Sequence, residues 1–94
     1  MASNSKGESL EDSKYGPLEE YLRSLPVIQQ DITMTFEFIE QVLNDQLPVE
    51  AYGEYEWWGN QKPGMNVEVV PWMDAGWMVD TVEFREKWVR FVRQ

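Results

Sequence analysis

Seven carboxylates and not one basic residue lie between Arg23 and Lys62: Asp31, Glu37, Glu40, Asp45, Glu50, Glu54 and Glu56. Such side chains can work as a general acid and base pair, ligate a hard cation, or present negative charge to a basic surface. Acid–base hydrolysis needs two carboxylates at a set separation across a cleft. A chain of 94 residues is short of material for a cleft, and with 17 acids some pair is always close. Calcium ligation needs oxygen ligands at loop spacing, and no such spacing is present. Nucleophilic catalysis fails on inventory, since there is no His or Cys and Ser24 is the only Ser beyond residue 13. Disulfides and thiolate zinc sites are excluded by the same count. The residues therefore read as a non-enzyme, with no catalytic residues, no metal and no cofactor.

The third use remains. Residues 1–61 carry twelve acids against Lys6, Lys14 and Arg23, whereas residues 62–94 balance five acids with five bases. Nucleic acid is held largely by Lys and Arg on phosphates, and the acidic stretch cannot supply them. Its charge either keeps a Trp-rich protein soluble or forms a negative surface for a basic protein site. Aromatic residues stand inside the acidic run: Tyr52, Tyr55, Trp57 and Trp58. In an extended segment neighbouring side chains alternate. One Trp of the pair would then be left outward, and Trp57 is assigned to the partner-binding set. A base stacked on such a ring would bring its phosphates up against Glu54 and Glu56.

The elements that must position these residues can be read from punctuation and period. Residues 1–13 are polar and read as a mobile tail, leaving a single domain over 14–94. Pro17 suits a first helical position, and Leu18, Tyr21, Leu22 and Leu25 follow a helical period closed by Pro26. A second helix is expected from an N-cap at Thr35 to about Leu43, with Phe36, Ile39, Val42 and Leu43 inward. Asn44 and Asp45 end it, and Leu47-Pro48 opens a short third segment through Tyr52. Gly53, Gly59, Asn60, Pro63 and Gly64 predict loops, and Val67, Val69 and Val70 an extended stretch ended by Pro71. Trp77–Phe84, a turn at Arg85-Glu86-Lys87, and Trp88–Arg93 predict a β-hairpin with Asp80 and Glu83 opposite Arg90 and Arg93. The fold class is α+β: two to three N-terminal helices followed by a C-terminal β-hairpin, an order compatible with a winged helix. No apolar run approaches a membrane span, so a cytoplasmic location is expected, in a bacterial or phage-infected cell.

The chain also carries an ordered series of local patterns. These are Lys14-Tyr15-x-Pro17-Leu18-x-x-Tyr21-Leu22, Thr35-Phe36-x-x-Ile39-Glu40 with Leu43, and Leu47-Pro48-x-x-Ala51. Trp57-Trp58-x-Asn60, Trp72-x-x-Ala75-Gly76-Trp77-x-Val79 and Val89-x-Phe91-x-Arg93 follow. The series resembles a small prokaryotic domain of unknown function, found alone or attached to other domains in bacteria and phages, over roughly residues 14–93. The resemblance implies the domain limits and assigns no chemistry. It also implies a basic segment between Leu-Pro and Trp-Trp, suited to a recognition helix. Here that segment reads Val49 to Glu56, acidic and broken by Gly53.

The expected function is a non-enzymatic acidic binding protein that occludes a basic, nucleic-acid-binding site on a protein partner. It would act as a DNA mimic through Glu37, Glu40, Asp45, Glu50, Tyr52, Glu54, Tyr55, Glu56 and Trp57. Size, acidity and resemblance together suggest a phage or mobile-element setting: an anti-defence inhibitor of a host nuclease or, as an anti-CRISPR protein, of a CRISPR effector. The alternatives are a winged-helix-like DNA-binding or regulatory module using Lys62, Arg85, Lys87, Arg90 and Arg93, and a dimerising accessory domain.

Overall fold

The computed structural model describes residues 6–60 and 70–94, with side chains from Lys14 onward. Helix α1 (Lys6–Arg23) is followed by strand β1 (Asp31–Thr35) and helix α2 (Phe36–Leu43). Two 3-10 turns, Val49–Tyr52 and Tyr55–Trp58, lead to a single helical turn α3 (Pro71–Asp74). Strands β2 (Trp77–Glu83) and β3 (Trp88–Arg93) complete the fold. The class is α+β, as the residue pattern predicts.

Several details differ from the sequence expectation. Helix α1 begins at Lys6, so Pro17 sits inside it and not at its first position. Pro17 has no N–H to give to the carbonyl of residue 13, which weakens the link between the turns on either side of it. The mobile tail expected over 1–13 falls on residues 1–5, outside the described residues, and on 6–13, whose backbone continues α1. Strand β1 was not expected at all. Ile32 and Met34 alternate inward against exposed Asp31, Thr33 and Thr35, yet five residues between two helices make a strand only when a partner is supplied. Pro71 opens α3 as its first residue and does more than end an extended stretch; Val67 and Val69 lie outside the described residues.

The sheet is antiparallel, in the order β1-β3-β2. The hairpin forms where expected, but its register shifts between Val79 and Thr81, leaving Asp80 as a bulge. The bulge turns the alternation over, so Trp77 and Val79 before it and Val82 after it all face the core. Arg90 pairs with Asp80 at 2.8 Å as expected. Arg93 stands opposite Trp77, out of reach of the expected cross-strand pairing with Glu83.

Helices and turns cover one face of the sheet. Leu18 and Leu22 of α1, Ile39 and Leu43 of α2, and Val89 and Phe91 of β3 are buried there. An aromatic chain crosses this core: Phe36 stacks on Trp58 at 5.3 Å, Trp58 on Trp72 at 5.7 Å, and Trp72 leans on Phe91 at 5.8 Å. Each contact adds about 0.5–1.5 kcal/mol beyond area burial. The buried indoles also find acceptors: Trp58 Nε1 donates to Ala51 O at 2.8 Å and Trp77 Nε1 to Leu22 O at 3.1 Å.

The element order is compatible with a winged-helix arrangement, with one departure. Where a recognition helix would stand, Pro48 and Gly53 break the chain into two four-residue 3-10 turns.

Candidate functional site

The acidic residues are carried by α2 and the two turns after it. Thr35 Oγ1 accepts from Phe38 N at 3.0 Å and caps the helix, while Phe36 N donates to Lys87 O at 2.9 Å. The helix start is thereby fastened to the hairpin turn. With Phe36, Ile39 and Leu43 buried, Glu37 and Gln41 face outward. Asn44 ends the helix in the left-handed conformation (φ 56°). Asp45 follows at the negative end of the helix dipole, and the last turn holds no basic residue. Lys14 of α1 partly compensates, with its Nζ 3.8 Å from Asp45. Glu37, Glu40, Gln41, Asn44, Asp45 and Gln46 line a shallow, open concavity.

Glu40 departs from the expectation of a free surface carboxylate. It is half-buried and accepts from Leu47 N at 2.9 Å and from the Tyr52 hydroxyl at 2.6 Å. A carboxylate drawn inward needs such donors to replace water. Tyr52 is in turn tied down, its ring edge-on to Phe36 at 5.2 Å. Its hydroxyl is pushed up to about 12, first by the bond to Glu40, then by burial and by the charges of Glu40 and Glu37. The pair fixes the first 3-10 turn to α2 and so sets where the remaining acids stand.

Glu50, Glu54 and Glu56 are exposed on the turns. Tyr55 is 69 % exposed and rests one ring edge on Phe84 at 4.6 Å. Trp58 is buried and Trp57 is half-buried against Tyr15, Trp58 and Trp72. The pair sits on a 3-10 turn and not on an extended segment, so strand alternation does not set its facing; Trp57 is the outer ring of the two. Tyr55 and Trp57 pack in different directions, one toward the hairpin and one toward α1.

Most of the described basic side chains are already engaged. Arg90 donates to Asp31 at 2.6 Å and to Asp80 at 2.8 Å. The bonds from Thr81 and Arg90 hold the Asp80 carboxyl below the usual carboxylate range. Arg23 pairs with Glu19. Arg93 gives its guanidinium to the carbonyls of Gln29 (3.0 Å), Pro26 (2.8 Å) and Leu25 (3.3 Å) and lies 4.3 Å over the Trp77 ring. Arg85 and Lys87, exposed at the hairpin turn, make no ion pair among the described residues, and Lys62 lies outside them. Among the described residues no three acids come close enough to hold a metal ion, and no helix is long and apolar enough to cross a membrane.

Sequence reasoning missed two architectural residues. Asn60 Oδ1 accepts from Val79 N at 2.7 Å and Trp72 Nε1 at 3.1 Å, while its Nδ2 donates to Val79 O at 3.0 Å. It thus caps the bulged edge of β2 as a short strand would. Arg93 clasps the connection between α1 and β1. The signal for both was their place in the ordered patterns, Trp57-Trp58-x-Asn60 and Val89-x-Phe91-x-Arg93.

No curated protein and no solved structure gives a significant match to the chain. A family profile described as a domain of unknown function (DUF7662) matches residues 15–94, which include every described element except the start of α1. The chain therefore belongs to that family of domains of unknown function.

Proposed function

We propose that the protein is a non-enzymatic acidic binder that occludes a basic, nucleic-acid-binding site on a protein partner. One observation carries the reading: Glu37, Asp45, Glu50, Glu54 and Glu56 are all exposed on α2 and the adjoining turns, where Lys14 is the only described base paired to any of them. Like charges held on a frame set by Glu40 and Tyr52 repel one another, and a basic partner relieves that repulsion. Tyr55 and Trp57 add amphipathic contact area beside the charges. Bacterial or phage-infected cytoplasm is the proposed setting, with a host nuclease or CRISPR effector as the kind of target.

The test compares wild type with the triple reversal E50K/E54K/E56K as bait in host lysate at low salt, followed by mass spectrometry. Wild type is expected to retain basic nucleic-acid-binding proteins, and the reversal to lose them, with association at least tenfold slower through lost steering. Equal capture and equal association rates overturn the reading.

A second reading, a winged-helix-like DNA-binding module, is favoured by the β1-β3-β2 sheet order and by the exposed Arg85 and Lys87 at the hairpin turn. Of the bases it would use, Arg90 and Arg93 are already spent inside the fold. Micromolar duplex binding with a steep salt dependence at about 0.15 M salt would favour this module over the mimic.

A further inference from the structure

The two edges of the sheet are treated differently. At the β2 edge the ladder is broken by the bulge at Asp80, and the Asn60 amide occupies the outward N–H and C=O of Val79. A bulge and a covering group keep an edge from pairing with another chain. The β1 edge has neither among the described residues. Its register against β3 is unbroken from Asp31 to Thr35, and it holds no Pro, Gly, Lys or Arg.

The ladder decides which backbone groups face outward. Arg93 N donates to Gln30 O at 3.0 Å and Phe36 N to Lys87 O at 2.9 Å. Bonded and non-bonded pairs alternate along an antiparallel ladder, so Ile32 and Met34 also turn their N–H and C=O toward β3. Asp31, Thr33 and Thr35 turn theirs to the open side. Gln29 Nε2 meets Asp31 O at 3.0 Å, and Thr35 opens α2. Thr33 is exposed, and neither its N–H nor its C=O has a partner among the described residues.

We propose that the β1 edge is a self-association surface, at which two copies of the chain join antiparallel through Thr33 and their two sheets become one. The strand is matched to itself. A two-fold axis at Thr33 sets it against the partner's Thr33, each N–H donating to the other C=O. Asp31 then stands against the partner's Thr35, and Ile32, on the other face, against the partner's Met34. No like charges are opposed, because Asp31 is the only charged residue of β1 and is already bonded to Arg90. The same axis brings opposite ends of the strands together. Before β1 a turn displays Val27 and Ile28, 86 % and 83 % exposed, and after it α2 displays Phe38. Arg93 holds that turn through the carbonyls of Leu25, Pro26 and Gln29. The apolar turn of one copy therefore comes to the end of the interface where the partner's Phe38 starts its helix. This surface is separate from the acidic face of α2 and does not rest on that reading.

Sedimentation equilibrium of the full chain from micromolar to millimolar concentration reads the association, and amide hydrogen exchange locates it. Wild type is expected to dimerise, and more tightly as salt rises, because salt screens the repulsion between copies of net charge −9. The Thr33 amide is expected to exchange at least tenfold more slowly in concentrated than in dilute solution, while Met34, bonded to β3, is equally protected in both. Thr33→Pro removes the outward donor without taking a bond from the β3 ladder, and Thr33→Lys sets two ammonium groups face to face. Each is expected to weaken the dimer at least tenfold with an unchanged circular dichroism spectrum in dilute solution. E50K/E54K/E56K is expected to dimerise at least as tightly as wild type, so failure of the acidic-surface reading leaves this one standing. A monomer at millimolar concentration, a dimer indifferent to both Thr33 variants, or Thr33 exchange that does not follow concentration overturns the proposal. So does slowing of Thr33 exchange by an alternating Thr-Lys octapeptide while the chain stays monomeric, which gives the edge to another protein's strand.

Discussion

Replacing Tyr52 by Phe removes one hydroxyl and keeps the ring against Phe36. The lost bond is the 2.6 Å donation to Glu40, and bonds to charged groups are worth about 1.5–3 kcal/mol. The proton affinity of the phenol gives a second route to the magnitude. A rise from 10.0 to about 12 is two pH units, or about 2.7 kcal/mol unscreened at ~1.36 per unit. The pair is only half-buried, so solvent screening lowers this to about 1–1.5 kcal/mol. A loss of that size lowers Tm by roughly 4–12 °C in a domain this small. The pH dependence has a definite sign. Because the folded state holds the phenolic proton more tightly, the contribution is whole below pH 10 and disappears as pH rises through about 12. Urea unfolding of wild type and Tyr52→Phe at about pH 8 and about pH 11.5 should therefore show a gap that closes on going alkaline. A gap of the same size at both, or none at the lower pH, refutes the reasoning.

Arg93→Ala is expected to cost about 2–4 kcal/mol, from three carbonyl bonds and the contact over Trp77, and Arg93→Lys to recover little because an ammonium lacks the fork; chemical denaturation measures both. Asn60→Ala leaves Val79 N–H and Trp72 Nε1 without their acceptor, so stability should fall by about 2–4 kcal/mol and the Val79 amide should exchange faster with deuterium. Removing residues 1–13, whose large apolar side chains are Met1 and Leu10 alone, should change unfolding free energy by less than about 1 kcal/mol. The reversal E50K/E54K/E56K should leave the circular dichroism spectrum unchanged and Tm equal or slightly higher, since it relieves repulsion among exposed acids.

What could be read from residues alone was local. Thr35 as cap, the Phe36, Ile39, Leu43 spacing and Asn44 in the left-handed conformation specify α2 within ten residues, and the structure shows each in that role. The hairpin is similarly announced by two β-rich runs around Arg85-Glu86-Lys87. Features that depend on distant partners were not legible. Strand β1 pairs with the distant β3, Asn60 acts on Val79, and Arg93 acts on the carbonyls of Leu25, Pro26 and Gln29. The bulge at Asp80 puts Val82 on the same face as Val79, because one extra residue inverts a period of two. At the candidate site, exposure of Glu37, Asp45, Glu50, Glu54 and Glu56 follows from the inward face of α2 and the lack of nearby bases. The internal use of Glu40 depends on a tyrosine twelve residues away that the 3-10 turn brings back.

The central strand of this sheet is also the last strand in chain order, and that has a consequence during synthesis. Asp31 pairs with Val92, about sixty residues further on, so β1 leaves the ribosome with no strand to join. At roughly 5–20 residues per second it waits on the order of 3–12 s. Throughout that wait the β1 backbone has no strand partner, and Ile32, Met34 and Phe36 have only the early helices to pack on, the kind of segment that recruits neighbouring nascent chains. The carboxylates of Asp31, Glu37 and Glu40 flank it on both sides, and no base up to Lys62 neutralises them. The acidic run thus places charge on both sides of the unpaired strand, the arrangement that gatekeeper residues have, until β3 is made.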